Sequence, residues 1–239
     1  MKNKSILAVS LILAILIIDQ AVKIYVKTHF LLGEEVKIFG FERALIHFVE
    51  NPGMAFGMEF GGDYGKLALS LFRIVAVSFL VYYIRVLIKS NYSMGLVASF
   101  SLILAGAMGN IIDSAFYGMI FSASVPEFHG GDLAKIFPPE GGYASFLHGK
   151  VVDMFYFPLL EGIYPAWIPI LGGEPFQFFR PVFNVADAAI TTGVASLILF
   201  QRSYFTEEEE KLTVNQTGEE DITIENTQNE ISPTEDVDK

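Results

Sequence analysis

The sequence predicts an all-α membrane protein in which four transmembrane helices carry a small extracytoplasmic β-sheet, an interfacial loop segment and a disordered acidic C-terminal tail. Three observations carry that expectation. The 239 residues are 52% hydrophobic, more than a soluble core of this length explains. The apolar residues gather into runs close to the ~20 residues that a helix needs to cross hydrocarbon. Acidity gathers at the far end, where residues 203–239 hold twelve Asp and Glu against two Lys.

That tail accounts for −10 of the net charge of −11, leaving about −1 for residues 1–202. Its polar, acidic composition cannot bury a core and reads as disordered. Residues 1–202 are expected to form one four-span membrane domain. There is no basic stripe with interleaved aromatics, so no nucleic acid partner is expected. The absence of cysteine excludes disulfides, thiolate nucleophiles and thiolate metal sites.

Taken in order, residues 1–18 have a charged start and an apolar middle, as a secretory leader does. The run meets no small-residue cleavage site and continues through "DQAVKIYV", so an uncleaved first span over about 5–26 is expected. The connection that follows contains "KIFGFERALIHFVENPGMAFG", whose β-branched and aromatic residues, broken by Gly and Pro, predict short strands and a turn. Spans over about 67–88 and 94–113 follow, the first interrupted by Arg73 and Arg85. The five residues between them fit a tight helical hairpin. The second long connection includes "YFPLLEGIYPAWIPILGGEPFQFFRP", where proline density forbids a long helix and Trp167 favours the bilayer interface. It reads as a peripheral segment on the membrane or as an ordinary ordered loop. A fourth span is expected over about 182–200.

An even number of spans puts both termini on one side. Lys2, Lys4, Lys89 and Arg202 flank the faces that would be cytoplasmic, so cytoplasmic termini are expected. With directions alternating, Asp19 and Lys23, Arg73, Asn110 and Asp113, and Asn184 and Asp187 converge at one depth near the outer face. Asn110 with Asp113 and Asn184 with Asp187 are spaced i, i+3, and Asp19 with Lys23 i, i+4, so each pair shares a helix face. A charge within a span costs roughly 2.5–3.5 kcal/mol on insertion scales, which makes such residues functional candidates.

Blander roles compete for several of them. Asp19 and Lys23 can neutralise each other, Arg73 can balance a carboxylate, and Ala105, Gly106 and Gly109 serve close helix packing. Asn184 can be a helix cap. For Asp187 capping is the weaker account, since Asn184 already fills that position. Asp153, in "HGKVVDMFYFP", reads as a loop acid able to face the helix-head acid Asp187. Two carboxylates held close cannot both ionise cheaply, so one keeps a proton while the other acts as base on a water, an arrangement suited to amide hydrolysis. The chain has neither G-x-S-x-G nor H-E-x-x-H, and its four histidines are scattered, so neither metal nor other cofactor is expected. A proton-coupled transporter also places acids in spans, and in a scaffold such acids only pair helices. Against transport, there is no internal repeat and the polar residues lie toward one face.

Five blocks taken together resemble bacterial lipoprotein signal peptidase, or signal peptidase II. They are "DQAVK" (19–23), "ENPGMAFG" (50–57), "AGAMGNIID" (105–113), "VVDMF" (151–155) and "FNVADAAI" (183–190), in family order. The resemblance implies an aspartic peptidase of the bacterial inner membrane. It implies a substrate as well, a prolipoprotein cut just before its diacylglyceryl-modified cysteine, and inhibition by globomycin. It places the catalytic pair on Asp153 and Asp187, and supporting or substrate-binding roles on Asp19, Lys23, Asn51, Gly53, Asn110, Asp113 and Asn184. With four helices and an internal site, a monomer is expected. Two departures stand out. Ser114 stands where the family pattern continues with Arg, leaving Arg73, Lys150 or Arg180 as substitutes. The stretches 115–149 and 156–181 are longer than the pattern leads one to expect.

Overall fold

The computed structural model describes residues 2–52, 62–90, 92–170, 172–178, 181–200 and Tyr204. Gly53, Arg180 and the tail expected over 203–239, apart from Tyr204, lie outside the described residues. Among the described residues, three helices are long and apolar enough to cross a membrane: α1 (Lys2–His29), α2 (Gly62–Lys89, with its apolar stretch from Leu67) and α3 (Met94–Ile112). A π-helical turn, Asp113–Tyr117, carries the α3 rod onward to Ile120. The third span expected over 94–113 is therefore longer than its apolar run, because the helix continues past Asp113 instead of ending on it. The first also outruns its expected 5–26, since polar residues at both ends remain helical. Ile6, Val9, Leu13 and Ile17 on α1, and Phe72, Val75 and Phe79 on α2, are exposed. A row of large apolar side chains of this kind is at rest in lipid.

The fourth apolar run divides. Val182–Phe183 form a strand, β6, Asn184 caps, and the helix α4 occupies Val185–Phe200. At 1.5 Å per residue the described residues of α4 account for ~24 Å of the ~30 Å of hydrocarbon. The expected span over 182–200 is corrected accordingly: its first residues pair with the sheet, so the helix starts later.

Two antiparallel sheets follow from the long connections. β1 (Glu35–Lys37), β2 (Leu45–Asn51), β3 (Val151–Tyr156) and β6 are ordered β1-β2-β3-β6. Val49 faces Asp153, Glu50 faces Val152 and Asn51 faces Val151, with an irregularity between Ile46 and Val49. The 156–181 stretch is not a mere loop: β4 (Leu160–Ile163) and β5 (Pro175–Phe178) form a hairpin. Pro175 takes the end of an edge strand, the place a sheet tolerates proline. The connection between them carries Trp167 and Ile170, both exposed.

Packing divides the interior in two. At one end Ala8 of α1, Ile84 and Leu87 of α2, and Leu96, Val97 and Leu104 of α3 form a buried cluster. The Lys4 ammonium donates to the Ser90 carbonyl at 2.8 Å at that same end. At the other end Val26, Phe48, Tyr117, Phe121, Ala134, Val152 and Met154 form a second cluster. Residues of the 115–149 stretch thus help build the core, and its backbone makes isolated bridges at Phe121 with Ile136 and at Val125 with Asp132. Strand alternation then sorts β3. Val152 and Met154 face this core while Asp153 faces the opposite way, toward the helix ends.

Candidate active site

Asp153 lies on β3, a strand, and the expectation of a loop acid is corrected. A strand in the middle of a sheet fixes its carboxylate more firmly than a loop would. Asp153 is buried, with Oδ1 accepting from the Asn184 side chain at 2.7 Å and Oδ2 from the Asn51 side chain at 3.3 Å. Asn51 faces Val151, two residues before Asp153, so the two side chains are diagonal neighbours on one sheet face. Burial pushes the Asp153 carboxyl up to about 7; the nearby Asp187 adds to this, and the Asn51 and Asn184 amides oppose it only in part.

Asp187 stands on the first turn of α4. Its Oδ2 accepts from the Asn184 backbone N–H at 3.2 Å, and the Asn184 Oδ1 accepts from the Asp187 backbone N–H at 2.9 Å. This reciprocal pair is a capping box, so the acid does share in capping after all. One cap residue does not suffice here, because a helix start leaves several N–H groups unpaired and the cap's own N–H also needs an acceptor. Capping leaves the other oxygen of Asp187 free for a different partner: Oδ1 accepts from the Asn110 side chain at 2.8 Å.

Asn110 and Asn184 join the pair to a buried ionic centre. Asn184 also donates to Asn110 Oδ1 at 3.2 Å, and the same oxygen accepts from Lys23 at 2.9 Å. Lys23 pairs with Asp19 at 3.0 Å and Asp113 at 2.9 Å, all three side chains fully buried. The expected Asp19–Lys23 ion pair is present and gains a second acid. Each of those acids also ties elements together: Asp19 accepts from the Ala186 N–H at the head of α4 at 2.8 Å, and Asp113 accepts from the Val152 N–H of β3 at 3.2 Å. Close approach of the helices depends on glycine. A Cβ at Gly109 would meet Asp19 Oδ2 at 2.6 Å, and one at Gly106 would collide with the Ala186 carbonyl. The packing role expected of both glycines is what the structure shows.

Eight of the nine candidates thus fall into one connected network; the ninth, Gly53, lies outside the described residues. Sequence reasoning passed over Gln20, inside "DQAVK", whose amide donates to Asp113 at 2.9 Å and Asp19 at 3.1 Å while its oxygen accepts from Tyr117 at 3.2 Å. An amide beside an acid in an apolar run was the available signal. Of the three named substitutes for an arginine at 114, Arg73 donates to Ser114 Oγ at 3.4 Å, whereas Lys150 binds Glu50 at 3.1 Å. Arg180 is outside the described residues.

Glu50 opens a second buried cluster, on the other face of β2 from Asn51. It pairs with Lys27, which also donates to Ser124 at 3.0 Å and lies over the rings of Phe121 and Tyr143. Burial would raise the Glu50 carboxyl, but Lys27 and Lys150 outweigh it and hold Glu50 below the usual range.

Apolar helices of spanning length and an acid-rich polar centre where helix ends meet a sheet define an integral membrane protein with an enzyme-like site. Comparison with known proteins makes the class specific. The Signal peptidase (SPase) II family profile matches residues 11–202. The lipoprotein signal peptidase of Porphyromonas gingivalis is 51% identical over 191 residues, covering 80% of each chain. That of Amoebophilus asiaticus is 39% identical over 190 residues, 78% of this chain and 74% of its own. A solved bacterial membrane enzyme shares the fold with a TM-score of 0.52 at 20% identity, over 82% of this chain and 87% of that one. The chain belongs to the signal peptidase II family, and is a peptidase of a bacterial membrane.

Proposed function

We propose that this chain is a membrane aspartic endopeptidase that removes the signal peptide from prolipoproteins, cutting before the diacylglyceryl-modified cysteine. The single observation that carries the reading is the bridging of Asp153 and Asp187 by Asn184, which contacts both. Residues 1–202 form the peptidase unit, α4 completes a fourth crossing together with its flanking residues, both termini are cytoplasmic, and the site opens at the outer face. The acyl chains of the substrate stay in the bilayer, which fixes the scissile bond at the depth of the acids and supplies much of the positioning that lowers the barrier.

Asp153, with its carboxyl raised to about 7, is the acid that carries the pair's proton as pH approaches neutrality. A water between the acids loses a proton to Asp187 as its oxygen attacks the carbonyl, and Asp153 gives its proton to the developing oxyanion. Collapse of the tetrahedral intermediate breaks the C–N bond: the proton held by Asp187 passes to the leaving amine, one hydroxyl re-forms the carbonyl and returns its proton to Asp153, and the pair is restored. The two acids titrate as a pair, so the two steps belong to both. Asn51, Asn110 and Asn184 aim the carboxylates by hydrogen bonds that carry no net charge, and Gly53, two residues after Asn51 in sequence, takes part in substrate binding. Every one of these groups comes from one chain, so a monomer is competent. Globomycin would inhibit by occupying the space between the acids.

The test is cleavage of a synthetic diacylglyceryl-modified prolipoprotein peptide by the purified full chain, with and without globomycin. Asp153→Asn and Asp187→Asn should each fold, bind the peptide and leave it uncut. Cleavage by either variant at the parent rate would remove the acid pair from the mechanism.

A further inference from the structure

We propose that Arg73 is the counter-charge of the acid pair, a positioning residue that reaches in from a spanning helix, is steered by Ser114 and holds the pair at a single proton. The proposal rests on the aspartic reading above. Arg73 lies in the apolar stretch of α2, where a guanidinium is costly unless it meets acids. It donates to Ser114 Oγ at 3.4 Å, and that hydroxyl donates in turn to the Asn110 carbonyl at 3.0 Å, one turn back on the helix. Asn110 is the residue whose side chain holds Asp187. The acids that act on the Arg73 charge are Asp187 of α4 first, then Asp153 of β3, then Asp113 at the end of α3.

Lys23 of α1 cannot take this role by direct contact. An ammonium has three N–H donors, and Lys23 has three partners in Asp19, Asp113 and Asn110. Its charge reaches Asp153 only through space. Lys23 between Asp19 and Asp113 leaves one negative charge uncompensated, and a singly protonated acid pair carries another. Arg73 supplies a second positive charge, from α2, where Lys23 supplies one from α1. Its guanidinium donates to the Ser114 hydroxyl while its charge is felt by the acids.

The experiment is the pH profile of kcat/KM for the same lipidated peptide. Arg73→Gln should move both limbs toward alkaline pH by on the order of one unit, since losing a nearby cation makes each proton of the pair harder to remove. On the acid limb activity falls about tenfold, with KM little changed. Arg73→Lys should keep the profile in place, and Ser114→Ala should move it in the same direction by less. A purely structural arginine would lower the whole profile without displacing it, and that result in Arg73→Gln would overturn the proposal. Arg73→Met serves if the glutamine variant does not fold, and Ser114→Ala decides by the same readout if neither does. Asp153→Asn and Asp187→Asn run alongside: cleavage by either sinks the aspartic reading itself, whereas inactive Asn variants with an unmoved Arg73→Gln profile sink only the role of Arg73.

Discussion

Asn184 holds Asp187 by a reciprocal pair of hydrogen bonds at 3.2 and 2.9 Å, and the same residue donates to Asp153 at 2.7 Å. A helix cap and the alignment of two acids are therefore one device. Replacing Asn184 with Ala should remove both functions. Loss of the cap costs ~1 kcal/mol of stability. Loss of alignment costs more in rate, about 100-fold in kcat, because it misplaces a reacting group. Thermal unfolding in detergent together with peptide cleavage separates the two: a rate loss no larger than the stability loss implies would mean Asn184 is only a cap.

Asp153 makes a prediction of opposite sign for stability and activity. Its carboxyl is raised from 3.8 to about 7, so the folded state binds that proton more tightly than the unfolded chain does. The stability this contributes is fully present below about 3.8, declines as pH rises toward 7, and is gone above it. Asp153→Asn cannot ionise and escapes the decline. The variant should be inactive yet more stable than the parent at pH 8, by on the order of 2–4 kcal/mol, with the gap closing toward pH 4. Melting curves of both proteins at these two pH values check it, and a gap independent of pH would show that Asp153 is not the proton holder.

Lys23 is fully buried between two buried acids. Removing one partner of such a group leaves uncompensated charge in the interior, which costs about 3–5 kcal/mol. Lys23→Met should lower the melting temperature by on the order of 10 °C at neutral pH. Adding Asp19→Asn to it should recover part of the loss, because the remaining acid then stands with fewer like charges. Absence of any recovery would mean that the lysine acts mainly through its contact with Asn110.

Much of this was legible in the sequence, for physical reasons. Helix periodicity places Asp19 with Lys23 and Asn110 with Asp113 on shared faces, and alternating spans bring those faces to one depth. The strands of the first long connection announce themselves by β-branched and aromatic residues. Other features depend on tertiary partners that no local pattern encodes. Val182 and Phe183 extend an apolar run and look helical, yet β3 recruits them as a strand. The helix past Asp113 survives because the π-helical turn is held by tertiary contacts of Asp113 and Tyr117, not by local propensity. Ser114 looked like a missing arginine, and Arg73 meets it from a helix forty residues away in sequence. The proline-rich stretch, expected as a peripheral segment or ordered loop, holds the β4–β5 hairpin, because proline excludes helix but not an edge strand.

Glu50 and Lys27 lie outside the acid network, although Glu50 directly precedes Asn51, and strand alternation turns their side chains to opposite faces. Their ion pair fastens the 115–149 stretch to β2 and α1 through Ser124, Tyr143 and Lys150. Lys27 and Lys150 hold the Glu50 carboxyl below its ordinary value, so the stability it contributes is present above about pH 4.5 and is lost as pH falls through the depressed folded value. Glu50→Gln should then destabilise at pH 7, by about 3–5 kcal/mol, since buried Lys27 loses its counter-charge. The penalty should shrink as pH falls through the depressed folded value, where the parent also becomes protonated. Pairing Glu50→Gln with Lys27→Met should recover most of the loss, because neither charge is then left buried alone. Cleavage tells whether this clamp matters to the site: with stability restored in the double variant, Asn51 should again reach Asp153 and activity should return to within about threefold of the parent, a difference below 1 kcal/mol in barrier height. A stable double variant that stays inactive would mean that Glu50 or Lys27 takes a direct part in binding or cleaving the substrate.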